Sequence, residues 1–265
     1  MEFHGRIIKM QTKHNNPVDY ILPIGDDFFP MNDSIGKYIF FRFEGIINCI
    51  SCGRKTNKSF AQGFCYPCLI NAPETSECIL RPQLCQAQNG IARDIEWAKK
   101  HCLQDHFVYL ALSSGLKVGV TRSDQIPTRW IDQGAWKAIK LAKTPNRFIA
   151  GQIEVLLKEY ISDRTQWQRM LKNELAKDVE LKDKKYEMLE YLPHDLQNYR
   201  CQDDLVAEII YPVNEFPQKV KSVGFDKHKD IEGILSGIKG QYLIFDDGRV
   251  LNIRKHNGYN ITFDV

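Results

Sequence analysis

Phe107-Val108-Tyr109-Leu110-Ala111-Leu112 is followed by Ser113-Ser114-Gly115 and then by Leu116-Lys117-Val118-Gly119-Val120. Two apolar runs rich in β-branched and aromatic residues, split by small turn residues, predict a β-hairpin. Two helices are expected after it. The first runs from Thr128 to Ala142. The second starts at Pro145, a residue suited to a first helical turn, and turns Ile149, Ile153, Leu156, Leu157 and Tyr160 inward. Two strands and two helices within residues 107–171 make a small α/β core.

Downstream, residues 172–200 read as a charged helical linker. The helical pattern over 168–192 carries only a thin apolar stripe, Leu171, Leu175, Met188 and Leu189, and Pro193 ends it. Residues 201–265 form a β-rich C-terminal domain. Asp246-Asp247-Gly248 between Gln241–Phe245 and Val250–Arg254 is a hairpin signal, because Asp-Gly accepts the positive φ of such turns. Upstream, residues 1–48 are β-rich, with strand candidates at Arg6–Met10, Asp19–Leu22 and Lys37–Phe43. Residues 49–106 hold seven of the eight cysteines. Ile91 to Leu103 reads as a helix with Ile91, Ile95, Ala98 and Cys102 on one face. The fold class is α+β, a cysteine-rich knuckle followed by the core and flanked by β-rich ends. The two terminal β segments build either one small barrel or two units.

A formal net charge of +3 does not by itself mark a nucleic-acid protein, so local clusters must carry such a claim. No apolar run reaches the length of a transmembrane helix and the first residues lack a signal-peptide pattern, so a cytoplasmic protein without a membrane is expected. In a reducing compartment cysteines serve as ligands or buried thiols rather than disulfides.

Cys49-Ile-Ser-Cys52-Gly and Gly63-Phe-Cys65-Tyr-Pro-Cys68 are two Cys-x-x-Cys pairs within a short span. Each pair can wrap a tight turn around one metal, and four thiolates suit tetrahedral structural zinc. A redox role would need a thioredoxin-like context, which is missing. Cys78, Cys85 and Cys102, with His106 or His101, form a looser ligand set for a second zinc. The alternative is buried thiols on the Ile91–Leu103 helix and its approach.

Residues 107–171 resemble the GIY-YIG nuclease domain. Phe107-Val108-Tyr109 and Lys117-Val118-Gly119 stand where that superfamily has its two signature strands, Arg129 where it has a helix arginine, and Glu154 where it has a glutamate. The whole chain is also similar to an uncharacterised bacterial family, known only by a domain-of-unknown-function label, that joins a four-cysteine knuckle to this core. Val118 to Arg122 and Gln125 to Ala135 carry that likeness, which assigns no activity. The nuclease resemblance implies phosphodiester hydrolysis with Mg²⁺ or Mn²⁺ on Glu154, Tyr109 deprotonating or orienting water, and Arg129 stabilising the phosphorane. Lys117 stands in place of the second tyrosine. The superfamily's asparagine has no clear counterpart in Ser162-Asp-Arg-Thr165-Gln-Trp167. On residue type alone, Tyr109 reads first as a core aromatic, and Arg129 and Glu154 as helix-surface charges.

Lys137, Lys140 and Lys143 lie three apart, the first two on one face of the expected first helix and Lys143 flanking them just past its end. With Arg122 and Arg147 they offer a phosphate-binding surface for DNA or RNA, and a solvated lysine face is the plainer reading. Three functions fit these residues: a divalent-metal-dependent endonuclease, a nucleic-acid-binding zinc protein with a degenerate nuclease core, and an interaction scaffold in a larger assembly.

Overall fold

Tyr38–Asn48 alternates strongly enough to bury Ile39 and Phe41 while exposing Tyr38 and Arg42, so it forms a sheet strand with one face on a core. It pairs antiparallel with Tyr259–Asp264 on one side and Asp230–Lys239 on the other. Glu2–Arg6 extends the sheet beyond Tyr259–Asp264, and Tyr242–Phe245, Arg249–Asn252 and Lys221–Val223 extend the other side. The two ends of the chain therefore share one sheet. Phe41 and Phe263 stack at 4.5 Å between ring centroids inside it. The expected Asp-Gly hairpin is present: Tyr242–Phe245 pairs with Arg249–Asn252, and Gly248 turns at φ +81°.

The computed structural model describes residues 1–162 and 164–265. The chain is mixed α+β with several sheets and divides into two units. Met1–Ile70, Leu171–Asn173 and Ile209–Val265 make the first; Asn71–Met170 and Glu174–Glu208 make the second. No helix among the described residues is long and apolar enough to cross a membrane.

The second unit is built on a four-stranded antiparallel sheet in the order Val206–Glu208, Lys137–Thr144, His106–Leu112, Leu116–Arg122. The hairpin expected from the central stretch is there. Val108, Leu110 and Leu112 join a core with Ile153 and Leu157 of the Arg147–Leu157 helix and Met188 and Leu189 of the Leu181–Glu190 helix. Side chains alternate along a strand, so Tyr109 faces the other way. Asn146 caps the Arg147–Leu157 helix by accepting the Ile149 N–H at 3.0 Å.

Three helix expectations need correction. The helix from Thr128 stops at Asp132, and Lys137–Thr144 is a strand. Gly134 takes φ +69° there, a left-handed turn that ends the helix. The three-residue lysine spacing mimics a helical face, but a bulge, at which Val108 pairs with Ala142 and Tyr109 with Lys140, brings only Lys140 and Lys143 to one side of the strand. The Ile91–Leu103 helix is shorter, Ile95–His101, because Asp94 caps it through the Trp97 N–H. The charged stretch 168–192 divides into Trp167–Leu171 and Leu181–Glu190, with Asn173 at φ +57° between them.

Candidate functional site

Leu116–Arg122 is the last strand of the second unit's sheet, and a cleft of about 170 Å³ runs beside it. Tyr109, Lys117, Arg129 and Glu154, four residues from four separate elements, all line it. Gly119 is paired with Tyr109, and a Cβ there would lie 2.5 Å from the Tyr109 hydroxyl. Only glycine leaves room for the ring at that position. The hydroxyl donates to Gln133 Oε1 at 2.9 Å, and the ring meets Trp130 edge-on at 6.1 Å. Burial pushes the Tyr109 pKa up, while the Arg129 guanidinium pulls against that shift.

Glu154 is buried on the Arg147–Leu157 helix and pairs with Lys158 one turn on, at 3.3 Å. Lys117 is also buried and donates to Thr165 Oγ1 at 3.3 Å. Asp163, within the stretch compared with the superfamily's asparagine region, lies outside the described residues. Ile79, Leu80 and Pro82 form another wall of the cleft. This wall packs so tightly on the helix that a Cβ at Gly151 would sit 2.1 Å from the Gln83 backbone nitrogen. Sequence reasoning missed the wall, Gln133 and Lys158. Lys158 was detectable as the i+4 partner of Glu154; the wall carries no local signal.

The expected basic stripe is dispersed. Lys137 pairs with Leu112, whereas Lys140 and Lys143 pair with Tyr109 and Phe107, so Lys137 faces the opposite side of the sheet. Each lysine has its own carboxylate: Glu208 at 3.1 Å, Asp203 at 2.8 Å and Asp105 at 2.7 Å respectively. Arg122 pairs with Asp124 at 3.2 Å. Arg147 is buried, its guanidinium donating to the backbone carbonyls of His101 at 3.0 Å and Cys78 at 3.4 Å. The structure does not bring these five side chains onto one face.

In the first unit, the sulfurs of Cys49, Cys52, Cys65 and Cys68 all lie within 4.8 Å of one another, and Cys52 Sγ is 3.7 Å from Cys65 Sγ. Tetrahedral Zn–S bonds of ~2.3 Å place neighbouring sulfurs ~3.8 Å apart, so the group could hold a metal ion such as zinc. Local sequence explains the fit. Cys49 follows the Tyr38–Asn48 strand, and Gly53 turns the first pair back at φ +73° with its N–H on the Cys49 carbonyl at 2.9 Å. Gly63 lies against Ile50, where a Cβ would come within 2.8 Å of its side chain. Cys68 sits in the short helix Tyr66–Asn71, and Cys65 immediately precedes it. The Arg54 backbone N–H lowers the Cys52 thiol to about 6, as expected of a thiolate turn.

A second group, Cys78, Cys85 and Cys102, also has its sulfurs within 4.8 Å of one another and could hold a metal ion. Hydrogen bonds from Cys78 and Cys85, with the Arg147 guanidinium close by, hold the Cys102 thiol well below its ordinary range. His106, expected as a fourth ligand, does not join the group. It begins a sheet strand and its Nδ1 donates to the Gln104 carbonyl at 2.7 Å, its buried Nε2 has no hydrogen-bond partner among the described residues, and burial lowers its pKa to about 4. His101 does not join either; its ring stacks on Trp97 at 4.0 Å.

Residues 36–261 match the model of a family described as protein of unknown function (DUF2797). No curated protein and no solved structure matches the chain.

Proposed function

The chain belongs to the DUF2797 family, and from that premise we propose that the second unit's cleft binds nucleic-acid phosphates and hydrolyses a phosphodiester, with a divalent cation held at Glu154. The observation that carries this reading is the convergence of Tyr109, Lys117, Arg129 and Glu154 on one cleft. The likeness of residues 107–171 to the GIY-YIG domain gives the roles. Arg129 can hold two phosphate oxygens at once, and Lys117 and Lys158 add point charges beside it. Glu154 is the one carboxylate among the described residues lining the cleft, and a hard oxygen donor suits Mg²⁺ or Mn²⁺. Such a cation, when bound, supplies charge neutralisation to the phosphate. Tyr109 is buried with a raised pKa, so its phenol stays protonated at neutral pH. That favours a role in orienting water over one as base. In the same reading the four-cysteine cluster is a structural zinc knuckle.

A second reading has an observation of its own. The Lys158 ammonium already neutralises Glu154 at 3.3 Å, as it would in a cleft that binds phosphate without cutting it. A panel of branched, single-stranded and duplex DNA and RNA with Mg²⁺ or Mn²⁺ separates the two. Cleavage of at least one member, slowed ~10²-fold or more in Arg129→Ala, is expected. Binding with no cleavage of any member selects the second reading. Neither binding nor cleavage removes both and leaves an interaction scaffold.

A further inference from the structure

We propose that Cys78, Cys85 and Cys102 hold a mononuclear zinc ion whose fourth coordination position opens on the adjoining pocket and takes a small external thiol. The sulfur spacing selects the metal form. Three sulfurs within 4.8 Å of one another fit the ~3.8 Å edge of a single tetrahedral zinc. An iron–sulfur cluster sets its irons and sulfides between the thiolates and needs them farther apart.

The ligand count points to an exchangeable position. Among the described residues no histidine, carboxylate or fourth cysteine joins the group. Structural zinc sites are closed by four protein ligands, whereas three protein ligands mark a site that takes its fourth from outside. A pocket of about 280 Å³ lies where that ligand would enter, lined by all three cysteines.

The pocket chemistry selects the ligand class. Pro73, Leu84, Ile91 and Trp97 give it apolar walls. The charged residues around it are engaged: Arg93 donates to the Ala72 carbonyl at 2.8 Å and Thr75 Oγ1 at 3.0 Å, Asp94 caps its helix, and Glu77 pairs with Arg81 at 3.0 Å. Zinc on three thiolates is electron-rich, a weak Lewis acid toward water and well matched to another soft donor. A thiol entering the position loses its proton to solvent and binds as thiolate. Its short apolar body meets the pocket walls, and the Arg147 guanidinium beside Cys102 offsets the added negative charge. The site stands apart from the cleft reading and does not depend on it.

The test uses the full chain loaded with Co²⁺ in place of zinc, with 2-mercaptoethanol as the probe. Two Co²⁺ per chain are expected. Titration with 2-mercaptoethanol should shift the visible absorption of one of them and leave the other unchanged. Cys85→Ser should reduce the stoichiometry to one and abolish the thiol response, and His106→Ala should preserve both. One Co²⁺ per chain in the wild-type protein overturns the proposal. So does a two-metal spectrum that 2-mercaptoethanol does not move, a readout that needs no variant to fold. A spectrum altered by His106→Ala assigns the fourth position to imidazole and equally overturns it.

Discussion

The four-cysteine and three-cysteine clusters reach similar sulfur spacing by different routes. Cys49, Cys52, Cys65 and Cys68 come in two adjacent pairs, and two turns at Gly53 and Gly63 nearly suffice to assemble them. Cys78 sits in one short 3₁₀ turn, Cys85 just after another and Cys102 at the end of the Ile95–His101 helix, so only tertiary packing brings them together. The first arrangement offers four thiolates, enough to close a tetrahedral site. The second offers three thiolates beside a pocket. It also ties down both ends of the segment whose middle, Ile79 to Pro82, forms a wall of the cleft.

The largest effect should separate the clusters. Cys52→Ser or Cys65→Ser should lose one zinc and melt residues 49–70, because metal binding to such a knuckle supplies several kcal/mol of local folding free energy. Metal analysis and hydrogen exchange read this, and protection of the His106–Leu112 strand should persist. A fully folded, zinc-free 49–70 segment contradicts the account. Next, Gly151→Ala should cost ~1–3 kcal/mol by forcing a methyl against the Gln83 backbone. By displacing the turn between Cys78 and Cys85, it should also weaken metal binding at the three-cysteine group while sparing the knuckle. Competition with a chelator measures both affinities, and equal weakening of the two would break the distinction.

A smaller effect concerns binding. Alanine at Lys137, Lys140 and Lys143 together should reduce nucleic-acid affinity less than Arg129→Ala alone, since each lysine is already paired with a carboxylate. A steeper loss, with a flatter salt dependence, in the triple variant would put the phosphate surface on the lysines instead. The smallest effect is on pH dependence in the first unit. His256 is buried, donates from Nδ1 to the Asn252 carbonyl and accepts the Phe225 N–H at Nε2, so it is held neutral, and burial lowers its pKa. A folded pKa below the unfolded one means that stability is full above the unfolded value of ~6.5 and falls as pH drops through the folded one. The stability gap between wild type and His256→Gln should therefore narrow toward acid in denaturant titrations; a gap that widens would reverse the assigned protonation state.

The same contrast explains what the sequence reveals. The Phe107–Val120 hairpin, the Asp-Gly hairpin and the paired cysteines are local patterns, and local geometry determines them. Lys137–Thr144 misleads because lysines three apart imitate a helical face, whereas the strand divides them between its two sides. The shared sheet of the two chain ends and the wall at Ile79–Pro82 depend on packing between distant segments. That Tyr109, Lys117, Arg129 and Glu154 line one cleft is suggested in the sequence only through a family resemblance, since each alone reads as an ordinary strand or helix residue.

The most direct test of the cleft compares Glu154→Gln with the wild-type protein, measuring nucleic-acid binding and Mg²⁺-dependent cleavage on the same substrate. The substitution keeps the shape of the side chain and removes the charge that would hold the cation. The account predicts near-unchanged binding and cleavage reduced ~10²-fold or more. Cleavage that survives in Glu154→Gln at the wild-type rate would contradict it.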